Sequence, residues 1–189
     1  AGFHTFERAC HDGLFPQARL LKGQLSGPLT LARCLYTAAG DAGQPFIHSA
    51  ALMDELTAYL CRLAVWQVER LARFGKPVLL MVDEPTLAVE ANASTTPVYL
   101  QRILGAIRQA GAASGIHCCA LGATKTVFAA APDLISFDAY HELELVFTAP
   151  ALPAFLNRGG TLALGLVPTL LDLSTFSPEA MLARWLAAA

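Results

Sequence analysis

His117 and Cys119 stand two residues apart in the stretch Gly115-Ile116-His117-Cys118-Cys119-Ala120. On a strand, residues at this spacing project to the same side. A neutral imidazole and a thiolate would then meet at one point, and these are donors that zinc prefers. The same pair sealed in a core is a structural histidine beside a small apolar cysteine, and the H-x-C spacing alone leaves both readings open. Cys118 faces the opposite way, toward packing helices. A catalytic zinc takes about three protein ligands and one open position, and this stretch supplies two.

Asp83-Glu84-Pro85 closes the wholly apolar run Val78-Leu79-Leu80-Met81-Val82. Charges at the buried end of a central strand need partners or a ligand. Either one of them caps a helix or pairs with a lysine, or the two acids belong to a substrate site. In the second case Asp83 holds a cationic group, such as an amino-acid ammonium, with Glu84 beside it. Asp138 ends the run Leu134-Ile135-Ser136-Phe137 in the equivalent place, as a third metal ligand or as a structural acid. His141 reads as loop surface, and His4, His11 and His48 have no ligating spacing.

The elements that must position these residues alternate along the chain. Residues 18–25 read as a strand and Ser26-Gly27-Pro28-Leu29-Thr30 as the turn leaving it, with Pro28 in the first turn of a helix over 29–38. An amphipathic helix is expected over 53–74, stopped by Gly75 and Pro77. The run 78–82 has the composition of a strand covered on both faces. A polar loop over 86–97, a helix over 98–110 and a strand over 115–121 follow. Next come a short helix over 126–131, a strand over 134–138, and a helix over 142–157 interrupted at Pro150 and Pro153. A strand over 161–167 and a helix from Ser177 to the end complete the pattern.

Strands each followed by a helix predict an α/β fold with a parallel sheet and helices outside. No glycine-rich nucleotide fingerprint follows any strand. Polar residues recur at strand carboxyl ends (Gln24, Asp83/Glu84, His117/Cys119, Asp138), where a (β/α)8 TIM-type barrel keeps its chemistry. A complete barrel takes roughly 250 residues. The expectation is therefore an incomplete barrel of about five β/α units, one partial domain over residues 1–189. The start at Ala1 reads as an excerpt.

Composition narrows the partners. Apolar residues make up 54 % and charged residues 15 %, which suits a buried α/β interior. A net charge of −2 without a basic cluster argues against nucleic acid. No apolar run reaches the roughly 18 residues that span a bilayer. His4, Glu7, Arg8, His11 and Asp12 break up any secretory leader. Five cysteines without a framework spacing read as reduced thiols in a cytoplasmic protein.

Four stretches, taken in order, resemble the catalytic barrel of cobalamin-independent methionine synthase, in the wider group that includes uroporphyrinogen decarboxylase. Lys22-Gly23-Gln24-Leu25-Ser26-Gly27-Pro28-Leu29-Thr30 is similar to that family's K-G-x-L-T-G-P-V-T segment. Val82-Asp83-Glu84-Pro85-Thr86-Leu87 resembles I-D-E-P-A-L, which implies that Asp83 binds a homocysteine amino group. His117-Cys118-Cys119 resembles H-x-C, which implies zinc on His117 and Cys119. Asp133-Leu134-Ile135-Ser136-Phe137-Asp138 is similar to D-V-I-[ST]-I-E, which puts Asp138, one methylene shorter, where the family has a glutamate ligand.

The family's remaining ligand is a cysteine on the last barrel strand, past the helix corresponding to Ser177–Ala189. The resemblance implies a zinc-dependent methyltransferase that moves a methyl group from a folate or corrinoid donor to a thiol such as homocysteine, in methionine synthesis. The long N-terminal barrel of the two-barrel enzyme is not in this sequence, so the expectation is a stand-alone single-barrel relative. A metal-free, decarboxylase-like barrel is the alternative, and needs several cations where only Lys22 and Lys125 are near. A degenerate barrel that binds a small molecule without catalysis is the other.

Overall fold

The computed structural model describes residues 2–38, 43–87, 96–119, 122, 124–168 and 176–188. Five strands form one sheet in the order β1-β2-β3-β4-β5. They are β1 (Leu21–Ser26), β2 (Val78–Asp83), β3 (Ala113–Cys118), β4 (Leu134–Phe137) and β5 (Thr161–Leu164), all parallel. The helices are α1 (Gly2–His11), α2 (Pro28–Cys34), α3 (Ala50–Ala72), α4 (Thr96–Gln109), α5 (Thr124–Ala129), α6 (Ala139–Phe147), α7 (Leu152–Asn157) and α8 (Pro178–Ala188). The expected α/β class with a parallel sheet is what the chain forms.

Sequence order equals spatial order, so every crossover runs the same way. Right-handed crossovers then set the connecting helices against one face of the sheet. Burial follows that division. The row Leu25, Val82, Ile116 and Ile135, in register across β1 to β4, is no more than 6 % exposed. The opposite row, Asp83, His117, Ser136 and Ala163, is only half-buried. One face is thus the core, and the other is open.

Helix α3 supplies the largest covering surface. Leu56, Leu60, Ala64 and Val68 recur at helical spacing and are buried against the sheet. Ser49 caps its start by accepting from Leu52 N at 3.4 Å. Beyond its end Gly75 takes φ +67, a conformation that disfavours a side chain. From α4, Leu100, Ile103, Leu104 and Ile107 are fully buried, and full burial of such a side chain contributes about 1.5–3 kcal/mol.

Several boundaries differ from the sequence reading. Residues 2–11 form α1, for which no element was expected, and Phe3 packs on Trp66 of α3 with ring centroids 4.8 Å apart. The helix expected over 29–38 stops at Cys34, because the chain turns extended at Leu35 and Tyr36 bridges to Pro45. The interruption expected near Pro150 and Pro153 separates α6 from α7. Most of the loop expected over 86–97 and the end of the strand expected at Leu121 lie outside the described residues.

Candidate functional site

The carboxyl ends of β1 to β5 lie side by side, and the open face there carries polar groups. Ser26, Asp83, His117, Ser136 and Ala163 are consecutive register partners across the sheet. Neighbouring strands are about 4.8 Å apart, so these side chains stand in one row. Below them a cleft of ≈ 420 Å³ is lined by Lys22, Gln24, Met81, Asp83, His117 and Ser136, among others. Gly115 leaves room for Met81 in its floor, since a Cβ there would lie 2.2 Å from Met81 Sδ.

His117 and Cys119 do converge. His117 Nε2 lies 3.3 Å from Cys119 Sγ. Two such donors on one tetrahedral zinc, at roughly 2.0–2.1 Å and 2.3 Å, would be roughly 3.5 Å apart. The pair therefore fits the geometry of a shared ion with little adjustment. Ser136 Oγ is 3.1 Å from His117 Nδ1, on the other side of the ring. A proton held there leaves the Nε2 lone pair turned toward the sulfur, the second-sphere arrangement common to ligating histidines. Cys119 is exposed, just past the end of β3, while Cys118 is buried on the helix face.

Asp83 enters the same cleft from β2. Its Oδ2 accepts from Gln24 Nε2 at 2.6 Å, and Gln24 Oε1 accepts from Lys22 Nζ at 3.1 Å. Burial pushes the Asp83 carboxyl above the ordinary range, and the nearby His117, Lys22 and Gln24 offset only part of that rise. A cation bound against this carboxylate would offset the desolvation.

Glu84 points the other way. It is fully buried, with Oε1 accepting from Leu29 N at 3.0 Å and Oε2 from Thr30 N at 2.8 Å and Thr30 Oγ1 at 2.7 Å. It clamps the first turn of α2 to the end of β2 rather than lining the cleft. Gly27 makes this possible: a Cβ there would sit 2.1 Å from Glu84 Oε1. Of the two acids expected at a substrate site, the structure brings Asp83 to the cleft and uses Glu84 to join two of the motifs.

Asp138 is engaged locally. Its Oδ1 caps α6 by accepting from Tyr140 N at 3.0 Å, and its Oδ2 lies 2.6 Å from His141 Nδ1. His141 is exposed in the first turn of α6. Among the described residues, no three His, Cys, Asp or Glu side chains gather around one point. The structure thus unites His117 and Cys119, sets Asp83 in the same cleft, and engages Asp138 with the start of α6.

Ser136 is the polar cleft residue to which the sequence reading gave no role, while Gln24 was expected only as a polar strand end and Lys22 only as a cation of the decarboxylase-like alternative. Their signal was strand alternation: Ser136 precedes Asp138 by two, and Lys22 and Gln24 share a face of β1. No protein-family model and no curated protein matches this chain.

Proposed function

We propose that this chain belongs to a zinc-dependent methyltransferase built on a (β/α)8 barrel, which methylates a thiol that carries an ammonium group. The 3.3 Å approach of His117 Nε2 to Cys119 Sγ at the open carboxyl end of β3 carries the reading. The barrel is supported by the unreversed strand order and by a polar open face, the surface that becomes a barrel interior. The order of the four sequence motifs adds the reaction class.

In this reading His117 and Cys119 hold the ion, with the His117 ring oriented by Ser136. Bound zinc lowers the pKa of a substrate thiol, so that its thiolate exists at neutral pH. Asp83 accepts the substrate ammonium through the oxygen that Gln24 leaves unused, and so fixes the sulfur relative to the donor. The thiol proton passes to solvent. The sulfur then forms its bond to the methyl carbon as the methyl–donor bond breaks, its electron pair staying with the donor, a folate or a corrinoid. A thiolate ligand and reduced cysteines suit a cytoplasmic setting.

Metal analysis of the purified protein tests this directly. The expected result is about one zinc per chain, falling close to zero in Cys119→Ala. Zinc near zero in both proteins, with the fold intact, ends the metal reading. Asp83→Asn is expected to raise the KM for homocysteine while zinc content stays unchanged.

A further inference from the structure

Along β1 the wall of the cleft carries a polar chain that ends on Asp83 of β2, and its polarity has a direction. Lys22 Nζ donates to Gln24 Oε1, and Gln24 Nε2 donates to Asp83 Oδ2. The amide is aligned by a cation at its oxygen and an anion at its nitrogen. It therefore holds the two charges apart without letting them pair directly. The two hydrogen bonds of 3.1 and 2.6 Å, with about 2.2 Å across the amide, put Lys22 Nζ at most about 8 Å from Asp83 Oδ2.

A ligand that satisfies both ends must carry an anion for Lys22 and a cation for Asp83. In an α-amino acid, the ammonium nitrogen and a carboxylate oxygen are about 3 Å apart, given bonds of about 1.5 Å. With charge-assisted contacts of about 2.8 Å at each end, such a zwitterion spans up to about 8–9 Å, long enough to reach both ends of the chain. The remaining lining, Leu79, Met81, Leu134 and Ala163, is apolar and suits an unbranched side chain directed toward His117.

We propose that Lys22, held by Gln24, is a carboxylate-reading residue that makes this cleft selective for the zwitterion of an α-amino acid over the corresponding amine. The proposal rests on the reading above that Asp83 meets an ammonium group. It assigns the opposite end of the substrate to a residue outside the metal pair. Lys22 is a specificity residue and takes no part in the chemistry.

Norleucine, pentylamine and hexanoate separate the charges, and none of them carries sulfur. Calorimetric titration of the purified protein with each probe, in the presence of a chelator, reads the subsite without the metal. Norleucine is expected to bind at least about tenfold more tightly than either single-charge probe. Lys22→Met should weaken norleucine by about tenfold or more and leave pentylamine unchanged, while Lys22→Arg should restore most of the loss.

Thermal melting checks that Lys22→Met is folded, as expected for an exposed residue of an edge strand. Norleucine affinity within twofold of the parent in a folded Lys22→Met protein overturns the proposal. So does the absence of norleucine binding at millimolar concentration. Zinc content that depends on Cys119, together with an indifferent Lys22, would sink this inference and leave the metal reading standing. Norleucine selectivity in a protein that never holds zinc would do the reverse.

Discussion

Glu84→Gln removes a titrating group while keeping the length and shape of a buried side chain, and its consequence can be worked from the surroundings. Burial raises the native-state pKa of Glu84 from 4.5 to about 7, and the donors on Thr30 and Leu29 and the charge of Arg33 recover only part of the shift. The site accommodates either protonation state. When ionised, Glu84 Oε2 accepts from Thr30 Oγ1 at 2.7 Å. When protonated, it can donate to that oxygen, and Thr30 then donates to Thr86 Oγ1 at 3.1 Å.

A carboxyl whose native pKa lies above its unfolded pKa binds its proton more tightly in the folded state. Its contribution is therefore fully present below the unfolded value of 4.5 and declines as pH rises toward about 7. Integrated from pH 5 to pH 8, this one group costs the folded state about 2–3 kcal/mol. Glutamine cannot titrate, and its amide nitrogen must face either Leu29 N or Thr30 N, donor against donor. That clash costs about 1–3 kcal/mol at every pH.

Glu84→Gln should thus be less stable than the parent by about 1–3 kcal/mol at pH 5. By pH 8 the difference should shrink by about 2–3 kcal/mol or change sign. Urea unfolding of both proteins at the two pH values, with the stabilities subtracted, isolates the contribution of Glu84. The raised Asp83 carboxyl is present in both proteins and cancels. Glu144, held down to about 2 by Arg184, titrates below the window. Parallel pH profiles for the two proteins, or a deficit that grows at pH 8, would refute the buried-acid account.

Three further outcomes follow from individual contacts. Gly27 has an ordinary φ of −78, so Gly27→Ala acts only by pressing on Glu84, and should cost about 1–3 kcal/mol alone. In a Glu84→Ala background most of that cost should vanish, and an equal cost in both backgrounds, read by urea unfolding, would contradict the contact. Ser136→Ala removes the partner of His117 Nδ1 and is expected to weaken zinc binding by about tenfold or more in competition with a chromogenic chelator. An unchanged affinity would show that Ser136 does not orient the ring. Asp138→Asn keeps a capping oxygen for Tyr140 N, so stability should hold within about 0.5 kcal/mol and zinc affinity should not move. A tenfold loss of affinity in that folded variant would assign Asp138 to the metal.

What could be read in advance followed from short-range rules, and what could not depended on partners far along the chain. The run 78–82 and the polar residues after it placed β2 and its functional end, because an apolar strand with no polar face has to be covered on one side and close-packed on the other. Alternation alone assigned His117 and Cys119 to one side and Cys118 to the other, as observed. The same rule separates Asp83 from Glu84, since adjacent strand residues cannot share a face.

Applied there, alternation predicts that one acid meets the ligand and its neighbour must find partners among the helices. Which partners it finds is set by Leu29 and Thr30, more than fifty residues earlier in the chain. Only the parallel pairing of β1 with β2 brings that turn within reach. Two of the chain's motifs are therefore neighbours because one buried carboxylate needs the amides of the other. Asp83 beside it lies on the open face, where Gln24 of the neighbouring strand β1 donates to it. If the Glu84 clamp is loosened, Asp83 should lose its position before the sheet loses its order. Homocysteine KM in Glu84→Ala is then expected to rise under conditions where its circular dichroism is still native.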